Sequence, residues 1–193
     1  RIAGSVKPDV TTVALGISPD LIHKGAVNLT GYSVTSAKDL ATLAQVYRNP
    51  LFETFRIIYM KGDKIVGHEG LTSRMPGIVM VFKSREDRDA KLAAMQERMD
   101  ALDATGYYLL HNHPSGRSSP SREDFDLTEL MAMSMPGFKG HVVIDSNEYT
   151  VINFNDDDDL EGIRHDVDFG PDLLRAPSIP HPLLGSTVLD QLE

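Results

Sequence analysis

The sequence predicts an α/β domain in which a mixed β-sheet lies between helices. Three observations point to it. Two pairs of β-rich runs are each joined by a short turn, over 55–69 and 141–154. Stretches with apolar residues at helical spacing separate them. The resulting order of helix, strands, helix, strand, helix, strands packs as helices against one central sheet.

In chain order, Val13, Leu15 and Ile17 alternate and predict a short strand near 10–17, with a helical turn near 19–24 after Pro19. Ser36 followed by Asp39 is a capping-box-like start, and Leu40, Leu43, Ala44 and Tyr47 continue at helical spacing, so a helix is expected over 37–47. Asn49-Pro50 stops it. Phe55–Met60 and Lys64–Glu69 read as a hairpin across Lys61-Gly62-Asp63, and Gly77–Phe82 as a further short strand. Ser84 caps a long helix with Leu92, Met95, Met99 and Leu102 as its apolar stripe, which suits core packing.

Gly106 then leads into Tyr107-Tyr108-Leu109-Leu110, a buried strand that ends at His111. Ser121 caps the next helix, which turns Leu127, Leu130 and Met131 inward and stops at Pro136-Gly137. His141–Asp145 and Glu148–Phe154 form a second hairpin across Ser146-Asn147. Asn155 to Asp159 reads as an acidic, solvated linker. Residues 160–193 hold four of the chain's 11 prolines and read as an irregular arm. His23, His68, His165 and His181 fit no motif and are taken as ordinary surface or core histidines.

Composition narrows the function classes. At 193 residues, 41% hydrophobic and 24% charged, the chain can bury one full core. A net charge of −9, with no basic run longer than two residues, argues against a generic nucleic-acid surface. Cysteine is absent, so neither disulfides nor thiolate metal sites are available. No apolar run approaches the roughly 18 residues that span a bilayer. No signal-peptide pattern opens the chain either, which fits the cytoplasm. The opening Arg1 fits a piece of a longer polypeptide.

The chemistry concentrates in Leu110-His111-Asn112-His113-Pro114-Ser115-Gly116 and the following Pro120-Ser121-Arg122-Glu123-Asp124. Residues at i and i+2 share one face of an extended strand, so both imidazoles can turn toward one point. Asp124 follows behind a Pro/Ser/Gly-rich loop, in the first turn of a helix. Two neutral imidazoles and one carboxylate, with a fourth position for water, make the ligand set of a catalytic zinc site. Such a site needs a general base nearby, and Glu53 and Glu69 are the candidates. If Met60 pairs with Lys64, both glutamates share an end and a face of the hairpin. A one-residue change of register sends Glu69 to the other face. The residues alone leave both registers open.

His111-x-His113, seven residues, Ser121, two residues, Asp124 resembles the JAMM signature of the JAB/MPN-domain metallopeptidases. The fuller string His-Asn-His-Pro-Ser-Gly…Pro-Ser-x-x-Asp is similar to the RadC branch. The resemblance covers roughly residues 30–155, leaving 1–29 as an N-terminal extension and 156–193 as the linker and proline-containing arm. It implies a JAB/MPN-like, cytidine-deaminase-like fold, with Zn²⁺ bound by His111, His113, Asp124 and a water. It also implies that Glu53, which opens the strand after the first helix, activates that water, with Glu69 as the alternate base. Ser121 caps the Asp124 helix, worth about 1 kcal/mol, and the family adds an oxyanion-stabilising role. Ser115 and Gly116 shape the loop.

The activity so implied is zinc-dependent hydrolysis of an amide or isopeptide bond in a protein or peptide substrate. Two other readings carry over: a non-catalytic MPN-type interaction module, and a RadC-associated DNA-repair role without proteolysis. Residues 1–30 show no counterpart of the helix-hairpin-helix region of full-length RadC proteins, which weakens the repair association. The letters His-Asn-His also suggest an HNH nuclease, but those enzymes spread the three residues over a ββα unit.

Overall fold

The computed structural model describes residues 28–47, 53–72, 82–114, 117–145 and 147–166. The strand expected near 10–17, the turn near 19–24, most of the strand over 77–82, and the chain beyond 166 lie outside these residues. So do His23, Ser115, Gly116 and His181.

Helix α1 (Ala37–Leu43) starts where its cap predicts, with the Ser36 hydroxyl accepting from the Asp39 amide at 3.2 Å, and tightens into a 3-10 turn over Ala44–Tyr47. Strands β1 (Thr54–Lys61) and β2 (Lys64–Thr72) follow. Helix α2 (Arg85–Ala101) begins at the Ser84 cap. Then come β3 (Gly106–Asn112), α3 (Arg122–Ser134), β4 (Phe138–Ile144), β5 (Glu148–Phe154) and β6 (Leu160–Asp166).

The strands form one six-stranded sheet in the order β2-β1-β3-β4-β5-β6. Every neighbouring pair is antiparallel except β3 and β4, which run parallel with α3 as their crossover. The mixed sheet between helices is therefore as the sequence predicts. α1 covers one face, where Leu40, Ala41 and Tyr47 meet Ile58, Met60, Tyr108, Leu110, Val142 and Ile144. α2 and α3 cover the other, where Met95, Met99 and Met131 meet Phe55, Ile57, Tyr59, Tyr107 and Leu109. Each fully buried aliphatic or aromatic side chain of this kind contributes roughly 1.5–3 kcal/mol. Strand alternation then decides the site: Tyr107 and Leu109 face α2 and α3, so His111 faces them too.

The hairpin register has an unforeseen element. The turn pairs Lys61 with Lys64, which by strict alternation would put Glu69 across from Arg56, on the α1 side. A bulge between Tyr59 and Met60 shifts the ladder by one, and Glu69 pairs with Ile57 instead. One extra residue thus returns Glu69 to the face that carries the histidines.

The far edge corrects the sequence reading. Residues 160–166 are not part of an irregular arm but form β6, paired with β5 from Phe154↔Leu160 to Glu148↔Asp166. The acidic stretch before it is a hairpin turn: the Asn155 side-chain oxygen accepts from the Asp157 and Asp159 amides, each at 3.0 Å. Asp158 takes a positive φ of 62°. The strand lacks a sequence signal because it is an exposed edge, held by backbone bonds rather than by an alternating apolar face. No helix among the described residues is long and apolar enough to cross a membrane.

Candidate metal centre

The site lies where the parallel pair ends and α3 begins. β3 delivers His111, and the chain stays extended for one more step because the His113 amide donates to the Ile144 carbonyl of β4 at 3.1 Å. The two histidines therefore keep the i, i+2 relation of a strand, with ring centroids 4.7 Å apart. α3 brings Asp124 in its first turn through a full capping box: Ser121 Oγ accepts from the Asp124 amide at 3.2 Å, and Asp124 Oδ2 accepts from the Ser121 amide at 2.6 Å. The positive end of the helix dipole favours the carboxylate there.

His111, His113 and Asp124 each offer one ligand atom, and these atoms lie within 4.8 Å of one another. His111 Nε2 and His113 Nε2 are 2.8 Å apart. Asp124 Oδ1 is 3.3 Å from the first and Oδ2 3.5 Å from the second. His111 is almost fully buried, whereas His113 and Asp124 are partly exposed.

The outer sides of both rings are also held. His113 Nδ1 faces the Arg117 carbonyl at 3.0 Å and must donate to it, since a carbonyl only accepts. The segment carrying Arg117 is anchored next door, where Glu148 accepts from the Ser118 amide at 2.6 Å and from its hydroxyl at 3.0 Å. His111 Nδ1 meets His141 Nε2 of β4 at 2.7 Å. His141 Nδ1 in turn meets the Thr128 hydroxyl of α3 at 2.6 Å.

With a proton on each Nδ1, both Nε2 lone pairs point at each other across 2.8 Å beside a carboxylate. Such an arrangement calls for a cation between them, either a proton or a metal ion. The electrostatics agree. Burial alone would raise Asp124, but its hydrogen bond with His113 and the charge at His111 hold it well below the ordinary carboxylate range. Burial lowers His113, yet Asp124 and Glu53 overcome this and leave it raised. Burial and the neighbouring His141 hold His111 well below the usual imidazole value. The donor set fits a divalent metal: tetrahedral bonds of ~2.0–2.1 Å require donors about 3.3 Å apart, close to the separations found.

Glu53 stands at the edge of this cluster. β1 pairs with β3 in the register Thr54↔Asn112 and Phe55↔His111, so one step further brings Glu53 against His113. Its half-buried carboxyl is raised by burial, lowered in part by His113 and raised again by Asp124. Asn112, the middle residue of His-Asn-His, fixes the start of this strand, because its side-chain oxygen accepts from the Thr54 amide at 3.1 Å and from the Thr54 hydroxyl.

Glu69 is placed differently. It shares the face but pairs with Ile57, four residues along from Glu53, or about 13 Å at ~3.3 Å per residue. There it accepts from Arg98 Nε of α2 at 2.6 Å. His68 lies on the α1 side against Arg56 and Tyr47. His165 stacks on Tyr149 in the open.

Thr128 and His141 are the site residues that the sequence reading missed. Thr128 was legible, since it follows Asp124 by four positions on one helix face. His141 was not, because only the parallel register of β3 and β4 brings it beside His111.

A model of the RadC-like JAB domain family matches residues 94–153, a span that contains both histidines and Asp124. The chain is also similar to a UPF0758 protein of Legionella pneumophila (strain Corby), at 31% identity over 107 residues. That match covers 53% of this chain and 42% of the relative, so the chain spans less than half the length of that protein. The family-model match and the similarity to the UPF0758 protein together support a RadC-like JAB/MPN domain in this chain.

Proposed function

We propose that His111, His113 and Asp124 hold a Zn²⁺ ion and that the domain hydrolyses an amide or isopeptide bond in a protein or peptide. The observation that carries this reading is the convergence of three donor atoms within 4.8 Å, with each imidazole held from behind. A set of two imidazoles and one carboxylate leaves a coordination position open, as in catalytic zinc sites. When bound, the ion polarises a carbonyl oxygen and makes water acidic enough to attack near neutral pH.

The chain's own groups supply the rest. Glu53 takes a proton from the attacking water as its oxygen bonds to the carbonyl carbon. It then gives that proton to the amine nitrogen as the C–N bond breaks. Its raised pKa suits a base that must also act as an acid. Ser121 Oγ accepts from the Asp124 amide and keeps its own hydrogen, which we assign to the oxygen that gains negative charge. Glu69, engaged by Arg98, is not assigned a part.

Metal analysis of the purified protein beside His113→Ala tests the site. One zinc per chain is expected in the wild type, with a large loss in the variant. Unchanged zinc in His113→Ala would refute the assignment.

A further inference from the structure

His141 is fully buried, and both of its ring nitrogens have polar partners, His111 Nδ1 and Thr128 Oγ1. What it does follows from where the protons must be. Thr128 Oγ1 lies 2.5 Å from the Asp124 carbonyl and 2.6 Å from His141 Nδ1. A hydroxyl has one hydrogen, and a carbonyl at 2.5 Å can only accept it; otherwise two sets of lone pairs would face each other. The remaining Thr128 lone pair therefore accepts from His141 Nδ1–H. A neutral His141 then has a bare Nε2, which can only accept, and its partner at 2.7 Å is His111 Nδ1. His111 must carry its proton on Nδ1 and present a bare Nε2 to His113 and Asp124. The Phe55 ring packs edge-on against His141 at 5.9 Å and walls this chain from the β1 side.

We propose that His141, fixed by Thr128, is a positioning residue that locks His111 in the Nδ1–H tautomer, with its Nε2 lone pair aimed at the metal position. This rests on the metal reading above, and it makes that site ready before any ion arrives. The relay begins at the backbone of Asp124, itself one of the three candidate ligands. The same turn of α3 therefore supplies a carboxylate in front of His111 and, through Thr128 and His141, sets its proton behind. Groups that orient metal-bound histidines in this way commonly change metal affinity 10–100-fold when removed.

Two measurements on the whole chain test it. Long-range ¹H–¹⁵N spectra of the metal-free protein should show His111 protonated at Nδ1 and unprotonated at Nε2. Zinc affinity, read by competition with a chromophoric chelator, should fall about 10–100-fold in His141→Leu. It should fall in the near-isosteric Thr128→Val as well, with mixed His111 tautomers. His141→Gln, whose side-chain oxygen can accept from His111 Nδ1–H, should recover much of the affinity. Far-UV circular dichroism checks that each variant is folded. The proposal is overturned if wild-type His111 carries its proton on Nε2. A folded Thr128→Val and a folded His141→Leu that both bind zinc within threefold of wild type also overturn it. A wild type with the expected tautomer that takes up no zinc supports the lock and overturns the metal reading alone.

Discussion

Asn112→Ala is a perturbation whose cost can be worked from the geometry. Asn112 and Thr54 are 1% and 3% exposed, so water cannot replace what the substitution removes. The Asn112 oxygen accepts from both the amide and the hydroxyl of Thr54. Losing one buried acceptor leaves a donor unsatisfied, at about 1–3 kcal/mol. The hydroxyl can rotate toward another partner, but the amide cannot, so the total should be about 1–3 kcal/mol. Urea unfolding followed by circular dichroism reads this as a lower midpoint at nearly unchanged m-value. Hydrogen exchange should show lost protection at the Thr54 amide first, because the opening begins at the strand start. Zinc affinity should change little, since Asn112 points away from the donor atoms. Stability within about 0.5 kcal/mol of wild type would refute the clamp and, with it, our account of what holds Glu53 beside His113.

Two further outcomes are expected. On a substrate found by screening a peptide and isopeptide library, Glu53→Gln should lower kcat by about 10²–10⁴ with one zinc still bound. Glu69→Gln should leave both nearly unchanged, because its carboxylate is held by Arg98 away from the cluster; the reverse pattern would exchange the two roles. Acid sensitivity should come partly from His68, which burial, with the charges of Arg56 and Arg98, pushes down to about 3. An unfolded histidine titrates near ~6.5, so between that pH and about 3 the unfolded chain binds a proton that the folded chain refuses. Its share of stability is complete above that range and is lost as pH falls, at no more than about 1.4 kcal/mol per pH unit. Unfolding free energies measured from pH 7 to 4 should fall less steeply in His68→Gln, and equal slopes would refute this.

The sequence by itself determined most of the described elements and the three candidate donors. Ser36, Ser84 and Ser121 name their helix starts because a cap is a local hydrogen bond among residues three apart. His111 and His113 share a face because strand alternation is local, and Asp124 falls in the first turn of α3 for the same reason. β6 escaped notice because an exposed edge strand needs only backbone partners, which leave no mark in side-chain pattern.

Whatever depended on register was left to the tertiary structure. The hairpin turn alone would have sent Glu69 to the wrong face, and a single bulge reversed that. Glu53 stands at the cluster, and Glu69 on Arg98, because β1 pairs with β3 from Thr54↔Asn112 onward. Side-by-side packing of β3 and β4 put His141 behind His111, 30 residues away in sequence. A short-range pattern can place donors on one face of one element. Which proton each donor carries depends on what the next strand brings against it.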